Sequence, residues 1–236
     1  YGLLNATGAL EAAGELTLEP AAFGVRNLTA PVAATAGKTV TVNATLANTG
    51  DVWGTTGVEL LFDGAVRQTR SVSIEGNATE RVGFDLRTGG VPPGNYTYGI
   101  GAGGSVETGV ITLRAPPRFE VSELEAPASV VGGEAVQVVA TVTNAGGVEG
   151  STDIAFVFDG DAMLGRTVTL DAGGSTDLRF NVSTDDIAPG TYRHGVRAGN
   201  GSGFANITVQ QPATFEVSTL DAPTEAIAGK NVTVNA

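Results

Sequence analysis

The sequence contains no cysteine, and this absence removes several kinds of site at once. A disulfide framework, a thiol nucleophile and a thiolate metal site are all excluded. Histidine occurs once, at His194, and the sequence has no nucleophile elbow, phosphate-binding loop or zinc motif. We therefore expect no enzymatic activity in this chain.

Basic residues are also scarce, at 13 against 25 acidic residues, which gives a net charge of −12. This charge opposes binding to nucleic acid or to anionic lipid headgroups. The only lysines are Lys38 and Lys230, and an acidic, lysine-poor surface is typical of halophilic proteins. No apolar run approaches the ~20 residues of a membrane span, so we expect no direct membrane insertion in this segment and any anchor outside it.

What the chain does contain is glycine, at 34 residues, and a 42% share of hydrophobic residues. Thr and Val recur in alternation between the glycines, a pattern that predicts short half-buried strands joined by tight turns. The hydrophobic share is large enough to build packed cores. The predicted fold class is therefore all-β.

An internal repeat of 96 residues organises these strands, and it runs without an insertion. Phenylalanine, proline and glycine anchors recur at this spacing, at Phe23, Phe119 and Phe215, at Pro31, Pro127 and Pro223, and at Gly37, Gly133 and Gly229. The repeat predicts two complete modules, at 22–117 and 118–213. Residues 1–21 resemble the last strands of a preceding module, and residues 214–236 repeat the first strands of a further one. An alternative is that neighbouring subunits complete these strands by strand donation.

Each repeat alternates in hydrophobicity along its strands. Val40, Val42, Ala44 and Leu46 alternate with polar residues, which places them on the inward face of one strand. Seven strands are predicted in the first repeat, near 23–29, 38–47, 56–62, 66–74, 79–86, 95–102 and 106–113. Seven strands in a repeat of this size predict tandem immunoglobulin-like or fibronectin-like β-sandwiches. Asp63-Gly64 and its counterpart Asp159-Gly160 predict tight hairpin turns.

The most frequent short motif is the sequon Asn-X-Ser/Thr, which marks N-glycosylation acceptors in secreted proteins. It includes nine of the twelve asparagines, at Asn5, Asn27, Asn43, Asn77, Asn95, Asn181, Asn200, Asn206 and Asn231. Asn43 and Asn181 fall on the outward sets of their strands, from which a glycan can leave. We expect covalent N-glycans and no other cofactor. The alternative is that Asn and Thr are simply good turn and strand-face residues.

For four aromatic residues and the histidine, we expect packing roles rather than catalytic or ligand-binding roles. His194 aligns with Tyr98, so we expect a packing position rather than a ligand or a general base. Tyr96 and Tyr192 each follow a Pro-Gly corner, where a tyrosine hydroxyl commonly bonds to the backbone of a sandwich. We expect Trp53 to pack within its module rather than to stack on a sugar.

Carboxylates are grouped tightly only at Asp159, Asp161, Asp185 and Asp186. Calcium needs six to eight oxygen ligands from a shaped loop. In the first repeat Asp63 matches Asp159, but Ala65 stands where the second repeat has Asp161. Solvated turns are therefore the favoured interpretation and a calcium site is the alternative.

The second repeat resembles CARDB modules, which are cell-adhesion-related, immunoglobulin-like domains of prokaryotic surface proteins. The resemblance rests on Phe119-Glu-Val-Ser-Glu-Leu, the segment Thr-Val-Thr-Asn-Ala-Gly at 141–146, Phe158-Asp-Gly, and Ala188-Pro-Gly-Thr-Tyr192. It extends to the first repeat and to 214–236, and is similar to versions found in haloarchaeal surface proteins. It implies an extracellular, non-catalytic spacer or adhesion role and supplies no binding residues.

The sequence thus predicts a cell-surface array of modules, as a glycosylated stalk, a surface-layer component or a filament. Its expected partners are neighbouring modules or subunits, with cell-surface or host glycans and proteins as further candidates. Two alternatives stay open. One is a virus fibre or turret on a virion surface, and the other is a set of carbohydrate-binding or accessory modules of a larger secreted enzyme.

Overall fold

The computed structural model describes residues 2–4, 10–13 and 16–235, and these residues form strands, turns and loops. None of them forms a helix that is long and apolar enough to cross a membrane. The strands are β1 (Gly2–Leu4), β2 (Leu10–Ala13), β3 (Phe23–Thr29), β4 (Ala33–Thr35), β5 (Thr39–Asn48), β6 (Gly54–Phe62), β7 (Ala65–Ile74), β8 (Thr79–Arg87), β9 (Gly94–Ala102), β10 (Ser105–Arg114), β11 (Phe119–Glu125), β12 (Ser129–Val131), β13 (Ala135–Asn144), β14 (Gly150–Phe158), β15 (Asp161–Leu170), β16 (Ser175–Ser183), β17 (Gly190–Ala198) and β18 (Gly201–Gln210).

The chain divides into two compact units, which separate between Arg118 and Phe119. The short segments 144–150 and 171–173 group with the first unit. Strands β1 and β2 form an antiparallel pair of their own. The assignment of 22–117 and 118–213 as complete modules, and of 1–21 and 214–236 as parts of others, stays a prediction.

The first repeat is a sandwich of a three-stranded and a five-stranded sheet. The small sheet has the order β3-β5-β8 and the large sheet the order β4-β10-β9-β6-β7. The pairings are antiparallel except that β4 runs parallel to β10. Inward side chains of both sheets meet in one core, in which Leu46 and Leu60 have no exposed surface. Strands β7 and β8 are the free edges of the two sheets on one side.

The second repeat has the same architecture, with the small sheet β11-β13-β16 and the large sheet β12-β18-β17-β14-β15. Its core is a separate cluster that includes the fully buried Phe156 and Val142. The predicted β-sandwich fold is thus confirmed.

The sequence pattern explains these elements directly. In β5 the set Val40, Val42, Ala44 and Leu46 is buried while the alternate residues face outward. At Asp63-Gly64 both residues have positive φ, at 52° and 76°, which the tight turn between β6 and β7 requires.

Two details differ from the sequence prediction. The first repeat contains eight strands rather than seven, because the three-residue β4 is too short to show an alternating pattern. Residues 214–235 contain only an isolated bridge between Asp221 and Asn235. Phe215, which matches Phe23 and the buried Phe119, is 95% exposed there.

Candidate functional site

Asn48 is a buried asparagine at the end of β5, and it joins several segments of the first repeat. Its Oδ1 accepts hydrogen bonds from the backbone N–H groups of Ala22 and Gly50, both at 3.1 Å. Its Nδ2 donates to the carbonyls of Val52 at 2.8 Å and Ile74 at 3.1 Å. A side chain that is 1% exposed and bonded on all sides has no room for a substituent.

Asn144 repeats this arrangement at the end of β13. Its Oδ1 accepts from the N–H groups of Arg118 at 3.2 Å and Gly146 at 3.0 Å. Its Nδ2 donates to the carbonyls of Val148 at 2.9 Å and Asp171 at 3.2 Å. Neither Asn48 nor Asn144 belongs to a sequon, so the two buried asparagines have a structural role.

The sequon asparagines lie in a different environment. Asn5 lies outside the described residues, and the other eight are all exposed, at Asn27, Asn43, Asn77, Asn95, Asn181, Asn200, Asn206 and Asn231. Asn43, Asn95, Asn181 and Asn206 lie on strands. Asn77 and Asn200 lie in turns. The structure therefore presents acceptor side chains on the outward faces of strands and also in turns.

On a strand, the sequon itself places its two functional residues together. Side chains alternate between faces, so Asn and the Ser or Thr two positions later point to the same side. The middle residue points to the core, as the buried Ala44, Val182 and Ile207 show. An outward amide thus has an outward hydroxyl group two residues further along the strand.

The amide nitrogens of two strand sequons are left accessible by their local hydrogen bonds. Asn95 uses Oδ1 to accept from the Thr112 hydroxyl at 2.8 Å, and Asn181 uses Oδ1 to accept from Gln137 at 3.3 Å. Nδ2, the atom that carries a glycan, is outside both bonds.

Asn77 uses its nitrogen instead, and Nδ2 donates to Asp51 at 3.1 Å. The pKa of the Asp51 carboxyl is lowered, mainly by the backbone N–H of Glu19 and secondarily by Asn77. Because a glycosylated amide keeps one N–H, this bond is compatible with modification.

His194 lies in the core of the second repeat, with 1% of its surface exposed. Its ring centroid is 6.4 Å from that of Phe156, and neither ring nitrogen has a hydrogen-bond partner within the described residues. Burial lowers the pKa of His194, because the charged imidazolium is poorly solvated there. The predicted packing role fits this environment.

The tyrosine predictions are confirmed, while the prediction for Trp53 is wrong. The hydroxyl groups of Tyr96 and Tyr192 donate to the backbone carbonyls of Pro92 and Ala188, at 2.9 and 2.8 Å. Trp53 is 65% exposed rather than packed. It lies in the loop between β5 and β6, outside the core.

The four grouped aspartates are all exposed, and they only partly come together. Asp159, Asp161 and Asp186 line a shallow depression of about 320 Å³. Asp185 accepts instead a hydrogen bond from Ser183 at 2.7 Å. Within the described ranges, no group of three or more Asp, Glu or His side chains could hold a metal ion.

A groove along β7 and β8 of the first repeat was not predicted from the sequence. The groove is open to solvent and has a volume of about 1000 Å³, and its lining includes Arg67, Arg70 and Arg87. The signal was present in the sequence, because residues 65–87 contain four of the chain's 13 basic residues. These arginines did not predict a groove, because arginines on the faces of alternating strands are common in any sheet.

Comparison with known proteins gives one family match. Residues 116–203, most of the second repeat, match the family model named CARDB. A search of curated protein sequences gives no significant match.

Solved structures resemble this chain at low sequence identity. The CARDB domain of a Pyrococcus furiosus protein, crystallised with di-metal ions, is 21% identical, with 41% of this chain and 96% of that chain covered and a TM-score of 0.37. A β-glucosidase from Listeria innocua is 17% identical, with 40% and 16% covered and a TM-score of 0.36. Red sea bream transglutaminase is 14% identical, with 84% and 32% covered and a TM-score of 0.32. The two enzymes are similar to this chain only through part of their fold.

Proposed function

We propose that this chain, whose residues 116–203 form a CARDB module of the non-catalytic immunoglobulin-like class, is part of a glycosylated extracellular array with a structural or adhesive role. In this proposal 22–117 and 118–213 are complete modules, and 1–21 and 214–236 belong to adjoining ones. The partners are neighbouring modules or subunits of the same protein.

The observation that carries the proposal is how the asparagines divide between surface and core. Among the residues that the structure describes, eight sequon asparagines are exposed, and the two buried asparagines, Asn48 and Asn144, lack the sequon. Each described acceptor is thus open to solvent, where a glycosyl transferase can reach it. Use of these acceptors requires passage through a secretory or surface-export route, which supports an extracellular location.

The mechanical side of the proposal follows from the two separate cores. Because each repeat buries its own apolar cluster, each can resist unfolding as an independent unit. The net charge of −12 keeps the surface hydrated, and glycans would add to this. Such an array would act as a spacer that holds the attached parts of the protein away from the cell surface.

The test is intact-mass measurement and peptide mapping of protein isolated from its native source. We expect a mass above that of the bare polypeptide and glycopeptides that include exposed sequons such as Asn43. Peptides with Asn48 and Asn144 serve as internal controls and should be unmodified. A native mass equal to that of the polypeptide would refute glycosylation.

A second candidate function is carbohydrate binding at Trp53, which the 65% exposure of this indole favours. An exposed aromatic ring can stack on the face of a sugar. Binding of the chain to glycan arrays should then fall in Trp53→Ala, while Val32→Ala, which alters another exposed apolar side chain, should leave it unchanged. Equal binding by both variants would remove Trp53 as a binding residue.

A further inference from the structure

We propose that the groove along β7 and β8 of the first repeat binds an acidic polysaccharide through its carboxylate groups. The groove is lined by Arg67 and Arg70 of β7, by Arg87 of β8, and by polar side chains that include Thr41, Gln68 and Asp85. This proposal rests on the arginines of the groove and uses neither the sequons nor Trp53 as support.

The three arginines are available to a ligand. Within the part of the chain that the structure describes, none of the three guanidinium groups forms an ion pair or a hydrogen bond. Three cations line this one groove in a chain with a net charge of −12. They create a local site of positive potential on an otherwise acidic surface.

Two of the guanidinium groups are also held in place. Arg67 lies over the ring of Phe62 at 5.5 Å and Arg70 over the ring of Phe84 at 5.2 Å. Stacking on an aromatic ring restricts the planar group while its N–H edge stays free. A fixed guanidinium fork matches a carboxylate in a bidentate pair, so less conformational entropy is lost on binding.

The other lining groups favour a sugar polymer over an acidic peptide. Thr41 and Asp85 lie side by side, with the Thr41 hydroxyl donating to Asp85 at 3.2 Å, and Gln68 donates to the backbone carbonyl of Asp85 at 2.6 Å. Asp85 accepts hydrogen bonds from hydroxyl groups but repels a closely spaced row of carboxylates. Hydroxyl-rich units with one carboxylate each therefore suit this lining best.

The second repeat provides a matched control within the same chain. Arg166 is the counterpart of Arg70 and also lies over a phenylalanine ring, at 6.0 Å from Phe180. The counterparts of Arg67 and Arg87 are Met163 and Ser183. The arginine set is therefore specific to the first repeat, although the stacked arginine is common to both.

The test is titration of the full, unglycosylated chain with an oligogalacturonate at physiological salt, followed by calorimetry. The controls are the methyl-esterified oligomer, which removes the charge and keeps the sugar, and polyglutamate of equal charge. We expect the acid to bind at least about tenfold more tightly than either control. No binding of the acid, or equal binding of polyglutamate, would overturn the proposal.

Substitutions then assign the binding to the groove. Arg67→Gln and Arg87→Gln should each weaken binding by about tenfold, whereas Arg166→Gln should not change it. Because Arg67 also covers a ring, the unfolding midpoint of each variant is measured as well. Arg87 has no such ring contact, so an unchanged affinity in folded Arg87→Gln would contradict the assignment even if Arg67→Gln failed to fold.

Discussion

The two repeats fill one position of the core in different ways. In the first, Tyr98 of β9 lies opposite Gly109 of β10, and in the second, His194 of β17 lies opposite Ala205 of β18. A Cβ atom added at Gly109 would lie 2.6 Å from the Tyr98 hydroxyl oxygen. The larger phenol ring thus depends on a missing side chain at Gly109, while the smaller imidazole is paired across the strands with Ala205, which is exposed.

The buried asparagines show the opposite behaviour. Asn48 and Asn144 keep the same residue and the same hydrogen-bond pattern in both repeats. Volume in a core can be exchanged between two neighbours, because packing depends on their sum. The directed hydrogen bonds that one buried amide donates and accepts cannot be divided between two side chains, so these positions tolerate substitution less than the Tyr98 and His194 positions do.

The largest effect is expected at the position that the repeats share. Asn48→Ala and Asn144→Ala should each lower the free energy of unfolding by about 3 kcal/mol, because each leaves several buried backbone groups without a partner. Chemical denaturation of the chain measures this for each repeat. Asn43→Ala is the exposed control and should stay within about 0.5 kcal/mol. A small loss at Asn48 would mean that water replaces its bonds.

Adding a methyl group to the first repeat should have the next largest effect. Gly109→Ala forces the Tyr98 ring to move and should cost about 2 kcal/mol through overpacking. The matched change in the second repeat, Ala205→Gly, only removes a methyl group and adds backbone freedom, at about 1 kcal/mol. Equal losses in thermal unfolding would contradict the paired-volume interpretation.

Exchange of the pair tests the coupling itself. His194→Tyr alone should destabilise the second repeat, because the phenol meets the Ala205 methyl group. Combined with Ala205→Gly it should regain about 1 kcal/mol in a double-mutant cycle, since the pair then matches the first repeat. Additive free energies of unfolding would show that the two residues act independently.

Much of this structure was predictable from the sequence. The alternation of Val40, Val42 and Ala44 predicted a half-buried strand, and the 96-residue repeat transferred that prediction to the second copy. Period-two patterns also placed Asn43 and Asn181 outward, as observed. Such predictions succeed because strand geometry fixes the face of each side chain.

Other features depend on contacts between strands that are distant in sequence. The exposure of Trp53 and the short β4 follow from which loop or strand lies beside them, which no local pattern encodes. The arginine groove requires that β7 and β8 be the free edges of different sheets. The pairing of Tyr98 with Gly109 likewise cannot be predicted without the register between β9 and β10.

The smallest expected effect is a pH dependence confined to the second repeat. Burial lowers the pKa of His194 in the folded state below its ordinary value of 6.5, whereas the unfolded chain keeps that value. As the pH falls through 6.5, the unfolded state binds a proton that the folded state binds less readily. The free energy of unfolding is therefore highest above this pH and decreases as the pH decreases. Between about pH 7.5 and about pH 6.0 the loss should be at most about 0.8 kcal/mol.

The comparison that isolates this effect uses the His194→Tyr/Ala205→Gly variant, which has no histidine. Carboxylates elsewhere titrate in both proteins, so the difference between their unfolding free energies at the two pH values reports His194 alone. We expect the variant to lose less stability on acidification than the natural chain. An identical loss would mean that the imidazole is solvated when it is protonated, through a local opening of β17 and β18, and the buried position would then be a dynamic one.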